Sequence, residues 1–257
     1  MTFIQAVILG IVEGVTEFLP ISSTAHLELV STFMGVLHTP FVKSFQIIIQ
    51  FGAILAVVVL YATTLFRRLE IWKRILAAFI PTGLIGFALY SVVKTYLLGN
   101  ITISLFTLGL GGLVLIWFDS VHRPDSNLSS REELEAMPYW KAATIGVAQA
   151  VAIVPGVSRS AATIISGMML GLSRRAVVEF SFLLAVPTML VAAGYELVKN
   201  ASAFSTSELG ILSVGFIVSF ISALAAISFF LRIIKHRSLT FFGIYRIIIV
   251  FIILMLI

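Results

Sequence analysis

Apolar residues run along this chain in blocks separated by short polar interruptions, and the blocks come in two lengths. Segments 42–62, 75–93, 102–118, 176–197, 209–231 and 239–257 are long enough for a helix to cross hydrocarbon, which takes about 20 residues. Segments 4–18 and 24–37 are shorter, and so are 140–153 and 159–171. The first pair is split by Pro and Ser and the second by Pro, Gly and Ser, so each is expected to enter the membrane and return as a re-entrant helical hairpin. The pattern predicts an all-α polytopic membrane protein with six transmembrane helices and two re-entrant helical hairpins. The only long hydrophilic stretch, 119–139, carries Pro124, Ser126, Ser129, Ser130 and the acidic residues Glu132, Glu133 and Glu135, and is expected to be a surface linker. The first fifteen residues lack a basic n-region and run straight into Glu13 and Glu17, so they read as a retained helix and not as a cleaved signal.

The pattern repeats. Pro20 and Ser23 match Pro155 and Ser158 at an offset of 135 residues, and the same offset brings Phe45-Gln-Ile-Ile-Ile onto Phe180-Ser-Phe-Leu-Leu. With a one-residue gap, Gly10-Ile-Val-Glu13 falls on Gly146-Val-Ala-Gln149. Residues 1–257 therefore read as one membrane domain, with repeat one over about 1–118, the linker 119–139 and repeat two over about 140–257. Each half has one hairpin and three spans. An odd number of spans makes the second half enter from the opposite side, the inverted-topology repeat of proteins whose sites lie at the bilayer midplane.

Composition agrees: 60% of the 257 residues are hydrophobic and 11% charged, far from the roughly one-quarter charged content of a soluble domain. The absence of cysteine excludes disulfides, thiolate metal sites and a cysteine nucleophile. The net charge of +5 is distributed by membrane side and forms no patch for nucleic acid. Loops 63–74, 119–141, 172–175 and 232–238 hold twelve of the 17 basic residues: Arg67, Arg68, Lys73, Arg74, Arg123, Arg131, Lys141, Arg174, Arg175, Arg232, Lys235 and Arg237. Lys43, Lys94 and Lys199 lie on the other side. The rich side is expected to be cytoplasmic, with both termini facing outward.

Against this apolar background, Glu13-Gly-Val-Thr-Glu17-Phe-Leu-Pro20-Ile-Ser22-Ser23-Thr24-Ala-His26 stands out. Glu13 and Glu17 are four apart, so both carboxylates leave one helical face. Pro20 ends that helix, and Ser22, Ser23 and Thr24 suit the start of the next, whose N-terminus offers free N–H groups to an anion. The expected site holds a phosphate on the hydroxyls of Ser22, Ser23 and Thr24, and a divalent cation, Mg2+ or Ca2+, on Glu13 and Glu17. The second interruption, Pro155-Gly156-Val-Ser158-Arg159-Ser160-Ala-Ala-Thr163, is a second break whose arginine can grip two phosphate oxygens at once. Ser158 and Ser160 can cap the helix that follows it, and breaks meeting at the pseudo-two-fold centre would bring Arg159 towards Glu13, Glu17, Ser23 and His26. In that arrangement Ser23 attacks phosphorus while His26 or Glu17 accepts its proton; attack by His26, or by water on the metal, fits nearly as well.

These two motifs resemble undecaprenyl-diphosphate phosphatase of the bacitracin-resistance type, and the similarity extends over essentially the whole chain, including Glu179-Phe-Ser-Phe-Leu-Leu-Ala-Val-Pro187. The resemblance implies an integral-membrane hydrolase that removes the terminal phosphate of undecaprenyl diphosphate, recycling the carrier lipid for peptidoglycan synthesis. It implies function at Glu13, Glu17, Ser23, His26 and Arg159, with Ser158, Ser160 and Thr163 in the second motif. It also implies a bacterial inner membrane and a site facing the periplasmic side. Ala25 departs from the family, which commonly has Gly there. The expected partners are a polyprenyl diphosphate and membrane lipids, no nucleic acid, and a homodimer as an open alternative. The rival reading is a polyprenyl-phosphate flippase or transporter using the same midplane anion site; a carrier, however, has no use for a nucleophile beside a base.

Other polar residues have plainer expectations. Gln46 and Gln50 read as interhelical hydrogen-bond formers. Glu28 reads as exposed towards the hairpin mouth, Thr16 and Gln149 as groups supporting the site, and Arg246 as the ion-pair partner of an acidic group such as Glu179.

Overall fold

The computed structural model describes every residue except 38, 98–99, 122–128, 201–205, 235–237 and 257; for Lys94 and for 192–193, 195–200, 206–207 and 256 it describes the backbone alone. Of the residues used above to argue sidedness and the linker, Arg123, Pro124, Ser126, Lys235 and Arg237 lie outside the described residues.

The regular structure among the described residues is helical: α1 (Phe3–Thr16), α2 (Ser23–Phe33), α3 (Pro40–Leu60), α4 (Ala62–Arg67), α5 (Leu69–Tyr96), α6 (Ile101–Val121), α7 (Ser130–Ala136), α8 (Tyr139–Ala150), α9 (Arg159–Met169), α10 (Arg174–Asn200), α11 (Thr206–Ile233) and α12 (Thr240–Leu256), with a 3-10 turn at Val151–Ile153. Local chemistry sets several of the starts. Thr2 and Gln5 close a reciprocal capping box on α1, and Thr39 caps α3, with Pro40 at the first helical position. Four helical segments, Pro40–Leu60, Leu69–Val93, Ile101–Val121 and Glu208–Ile233, are long and apolar enough to cross a membrane, which makes the chain a polytopic membrane protein.

Two helices absent from the sequence pattern appear in connecting stretches. α4 follows α3 directly. α7 lies inside 119–139, and the described part of that stretch is docked and not free on the surface. The buried Glu133 accepts from the Ser173 N–H (2.6 Å) and hydroxyl (2.5 Å) at the start of α10. Asp119, also buried, pairs with Arg174 at 2.7 Å and accepts from Ser238 and Thr240.

α10 occupies the centre. Val177, Val178, Phe180, Phe182, Leu183 and Leu184, on several of its faces, are all buried. An aromatic chain radiates from it: Phe18 of the first break packs edge-on to Phe182 at 5.2 Å, Phe182 meets Phe230 of α11, and Phe230 meets Phe242 of α12. The principal helix pairs are α1 with α11, α5 with α8, α3 with α10 and α11, and α6 with α12. α1 can approach α11 so closely because Gly10 and Gly14 form a small-residue face; a Cβ on Gly10 would lie 2.7 Å from the Gly215 carbonyl oxygen, and one on Gly14 would collide with that of Ser219. Displaced by the offset that brings Pro20 onto Pro155, α1, α2, α3, α5 and α6 fall on α8, α9, α10, α11 and α12.

Candidate active site

The first break follows the end of α1. Glu17 is the C-cap, with its N–H on the Glu13 carbonyl, and Leu19 to Ile21 turn the chain before Ser23 starts α2. Ser22 holds a left-handed backbone, φ 68°, the one non-glycine residue with positive φ among those described. Such a residue costs of order 1–3 kcal/mol and persists only where its surroundings demand it. Its side chain makes no capping bond to α2, so the helix start expected to be capped by hydroxyls keeps its N–H groups clear for another acceptor.

Glu17 is the node of the site. Its Oε2 accepts a short hydrogen bond from Ser23 Oγ, and its Oε1 takes Arg159 Nη2 at 2.9 Å. The sequence expectation that the two breaks meet thus corresponds to a direct contact between residues 142 positions apart. Arg159 is further held by the Ser181 carbonyl (3.1 Å) and lies 5.8 Å from the centre of the Phe18 ring. One turn back on α1, Glu13 is completely buried, and neither of its oxygens has a hydrogen-bond partner. Two carboxylates buried side by side repel one another, and a cation held between them would relieve that cost.

The second break is assembled by the same physics. α8 passes through the 3-10 turn into Pro155 and Gly156, whose φ of 84° suits glycine, and where a side chain would strike Thr107 and the Ser104 carbonyl. Ser158 then caps α9, its Oγ accepting from Ala161 N at 3.2 Å and lying 3.2 Å from Ser160 Oγ.

His26 sits on the first turn of α2, but neither ring nitrogen faces Ser23. Nδ1 lies 2.8 Å from the Ser22 carbonyl oxygen and Nε2 3.0 Å from Tyr245 Oη. Because a carbonyl can only accept, Nδ1 carries the proton and Nε2 accepts from the tyrosine. The two rings stack with centroids 5.6 Å apart and planes 5° from parallel.

The remaining expected residues divide. Ser158 and Ser160 line the second break. Thr163 is fully buried and donates within the second half, towards Ser181 Oγ (2.7 Å) and the Ser160 carbonyl, and Thr24 is exposed. Gln46 bonds Ser31 across helices, as expected. Gln149 joins Thr82 and Thr188 in a separate buried cluster. Two expectations are corrected. Glu28 is partly buried and accepts from Ser104 of α6. Arg246 does not pair with Glu179, which binds Arg175 one turn away; completely buried, it donates to the carbonyls of Leu108 (3.0 Å) and Gly156 (2.8 Å), tying α12 to α6 and to the second break. Tyr245 and Ser181 were not anticipated. The one sequence signal for Tyr245 is its place beside an arginine inside an apolar span.

Among the described residues, no three His, Cys, Asp or Glu side chains gather as a metal cage. A hard cation such as Mg2+, however, commonly takes one or two carboxylates and completes its shell with substrate phosphate and water oxygens. The unpartnered Glu13 carboxylate next to Glu17 fits that demand.

Fold and site define a polytopic helical membrane protein with a hydroxyl, a carboxylate and a guanidinium joined in a buried centre. The family model described as bacitracin resistance protein BacA matches residues 6–252, and the chain belongs to that family. Its relatives include proteins named undecaprenyl-diphosphatase from Aquifex aeolicus (54% identical over 249 residues, 97% of this chain and 96% of the relative), Sulfurihydrogenibium sp. (53%, 96% of each chain) and Thermus thermophilus (42% over 245 residues, 94% and 92%).

Proposed function

We propose that this protein is an undecaprenyl-diphosphate phosphatase, a hydrolase that removes the terminal phosphate of undecaprenyl diphosphate and returns undecaprenyl phosphate to peptidoglycan synthesis, with bacitracin resistance as the consequence. Family membership and the relatives' shared name support the activity. The observation that carries its assignment to residues is the contact of Ser23 Oγ with Glu17, itself clamped by Arg159. A nucleophile already hydrogen-bonded to a carboxylate has its general base in place. His26, occupied at both nitrogens, leaves that part to Glu17.

Ser23 Oγ attacks the terminal phosphorus as its proton passes to Glu17, and the bond to the bridging oxygen breaks. Undecaprenyl phosphate leaves with the proton that Glu17 gives up. Water then attacks the phosphoserine and loses a proton to Glu17, which returns it to Ser23 Oγ as the phosphorus–Oγ bond breaks and inorganic phosphate leaves. Arg159 and the open N-terminus of α2 receive the charge on the transferring group. A cation on Glu13 and Glu17, when bound, supplies further neutralisation of the diphosphate oxygens.

The finer architecture is also proposed: six spans and two re-entrant hairpins in an inverted repeat, in a bacterial inner membrane. In its support, α1 packs on α11 as α8 packs on α5, so each leading hairpin helix leans on the other half of the chain. Arg68, Arg74 and Lys141 of the expected basic loops are tied to one another's connecting segments, Arg68 meeting Glu135, Arg74 the Met137 carbonyl and Lys141 the Leu170 carbonyl, which supports placing them at one end. With that end cytoplasmic, the first hairpin opens outward. A site sunk in hydrocarbon suits a phosphate carried by a lipid. A flippase would need the same anion site but not the Ser23–Glu17 contact.

The deciding experiment is phosphate release from undecaprenyl diphosphate by detergent-purified protein, with and without chelator, beside Ser23→Ala. Release that chelation suppresses and Mg2+ or Ca2+ restores is expected. A parent protein that releases no phosphate overturns the proposal.

A further inference from the structure

Two grooves of nearly equal size lie beside the hairpins, about 350 Å³ at the first and about 370 Å³ at the second. If the substrate is lipid-linked, as the phosphatase reading on which this inference rests requires, its tail must take one of them. We infer that the first groove, between α1, α2 and α12, seats the isoprene units nearest the diphosphate, and that Tyr245 is the positioning residue that lets a dry tail lie against His26.

The walls are apolar: Ile11, Val15, Val30, Phe33, Ile249 and Ile252 line the groove, and Ile11, Val15, Phe33 and Ile252 are exposed on the membrane-facing surface. A branched hydrocarbon chain can slide in from the bilayer without ever meeting water, so entry costs no desolvation of charge. The floor is formed by Thr16, His26 and Tyr245. His26 follows Ser23 by three residues on the same helical turn, so a tail in this groove ends within one turn of the hydroxyl that touches Glu17. The other groove ends on Ser158, whose oxygen caps α9, and on Arg246, whose guanidinium is committed to the Leu108 and Gly156 carbonyls. It leads to no nucleophile.

Hydrogen bonding on the floor makes the assignment specific. Thr16 Oγ1 donates to the Val12 carbonyl, His26 Nδ1 to that of Ser22, and Tyr245 Oη to His26 Nε2. Each of these polar groups has a partner within the protein, so a tail can expel water from the groove and strand none of them. Remove the tyrosine hydroxyl and Nε2 depends on water. An empty groove supplies that water and an occupied one excludes it. The loss in Tyr245→Phe must therefore grow with the length of tail in the groove, a dependence that a merely structural role for Tyr245 would not produce.

The test compares the parent, Tyr245→Phe, Ile249→Trp and, in the second groove, Ile165→Trp, all purified in detergent, using isopentenyl, farnesyl and undecaprenyl diphosphate. Phosphate release gives kcat/KM. For isopentenyl diphosphate, the inhibition constant against the long substrate is measured too, so slow turnover does not hide binding. Ile249→Trp should lower kcat/KM about tenfold or more for the two longer substrates and leave the isopentenyl inhibition constant within about twofold, which also reports an intact fold. Tyr245→Phe should lose about tenfold on the long substrates and little on isopentenyl diphosphate, while Ile165→Trp changes none of the three. Losses independent of tail length, or a tail-dependent loss from Ile165→Trp alone, overturn the inference. A parent that hydrolyses no diphosphate at all instead overturns the phosphatase reading beneath it.

Discussion

Glu17 carries two duties on its two oxygens, accepting from Ser23 on one and from Arg159 on the other, and this makes it the most informative position to change. Glu17→Gln keeps the shape but removes the base and the counter-ion together. Turnover should fall by about 10²–10⁴-fold, and Ser23→Ala should fall at least as far. A Ser23→Ala protein within about tenfold of the parent, a barrier change near 1.4 kcal/mol, would move the attack to His26 or water. Arg159→Lys should fail as well, because a point charge cannot reach Glu17, the Ser181 carbonyl and a phosphate from one planar fork; a Lys variant with parental kcat would reduce Arg159 to a counter-ion. That Glu17, Ser23 and Arg159 come together was legible in the sequence because charges and hydroxyls inside an apolar run need a reason to be there. The detail of His26 was not. Its spacing from Ser23 suggested a catalytic pair, whereas its nitrogens turn to the Ser22 carbonyl and to Tyr245, the latter 219 positions away, a contact that no local pattern encodes.

Among the elements, the ends of the long apolar helices follow the block pattern within about three residues except at α5, which begins at Leu69 and not near 75 because its first two turns carry Glu70, Lys73 and Arg74 and so lie outside the apolar block. α4 and α7 escaped the pattern for a physical reason. Each is too short to show periodicity, and α7 is held by its Ser129–Glu132 capping box and by Glu133 at the start of α10. The pairing of Arg246 was misjudged because a buried guanidinium can be satisfied by carbonyls exposed at a break, and such carbonyls leave no mark in composition. The α1–α11 spacing is set by Gly10 and Gly14. Gly14→Val would force α1 off the Ser219 carbonyl of α11 and displace Glu13 and Glu17 with it. We expect a destabilisation of about 1–3 kcal/mol, seen as a lower melting temperature in detergent, together with a loss of kcat larger than the change in stability accounts for. A variant that melts early but keeps full kcat when folded would show that the α1–α11 spacing does not position the carboxylates.

At the scale of the whole molecule, the proposed orientation makes the end bearing Arg68 cytoplasmic and the end bearing Lys43 external. Both residues are exposed and the native chain has no cysteine to interfere. In right-side-out vesicles, an impermeant thiol reagent should label Lys43→Cys and spare Arg68→Cys, and external undecaprenyl diphosphate should be hydrolysed with phosphate appearing outside. The reverse labelling would invert the topology and place the site on the cytoplasmic side. The repeat behind this topology could be detected in the sequence through Pro20 and Pro155, although the two halves have diverged. Where repeat one has Glu13, repeat two has Gln149 in a cluster with Thr82 and Thr188, so only one half retains the paired carboxylates.

The central position of α10 bears on how the protein is made. This helix begins with Arg174 and Arg175, carries Glu179 and Pro187, and is buried without interruption from Ala176 to Val186. Presented alone to an insertion machinery that partitions nascent segments by their affinity for lipid, it is a poor candidate, because Arg174, Arg175 and Glu179 in its first two turns shorten its apolar stretch and Pro187 interrupts it. It is held once α3 and α9 are there to receive it and Asp119 of α6 has met Arg174. Biogenesis should therefore run in sequence: α3 and α6 integrate autonomously, and α10 follows as a dependent passenger. In a glycosylation-mapping assay with single segments grafted into a reporter, α3 and α6 should insert efficiently and α10 poorly, while α10 preceded by residues 1–173 should recover. Efficient insertion of α10 by itself would mean that its burial is a product of folding and not a condition of its entry into the membrane.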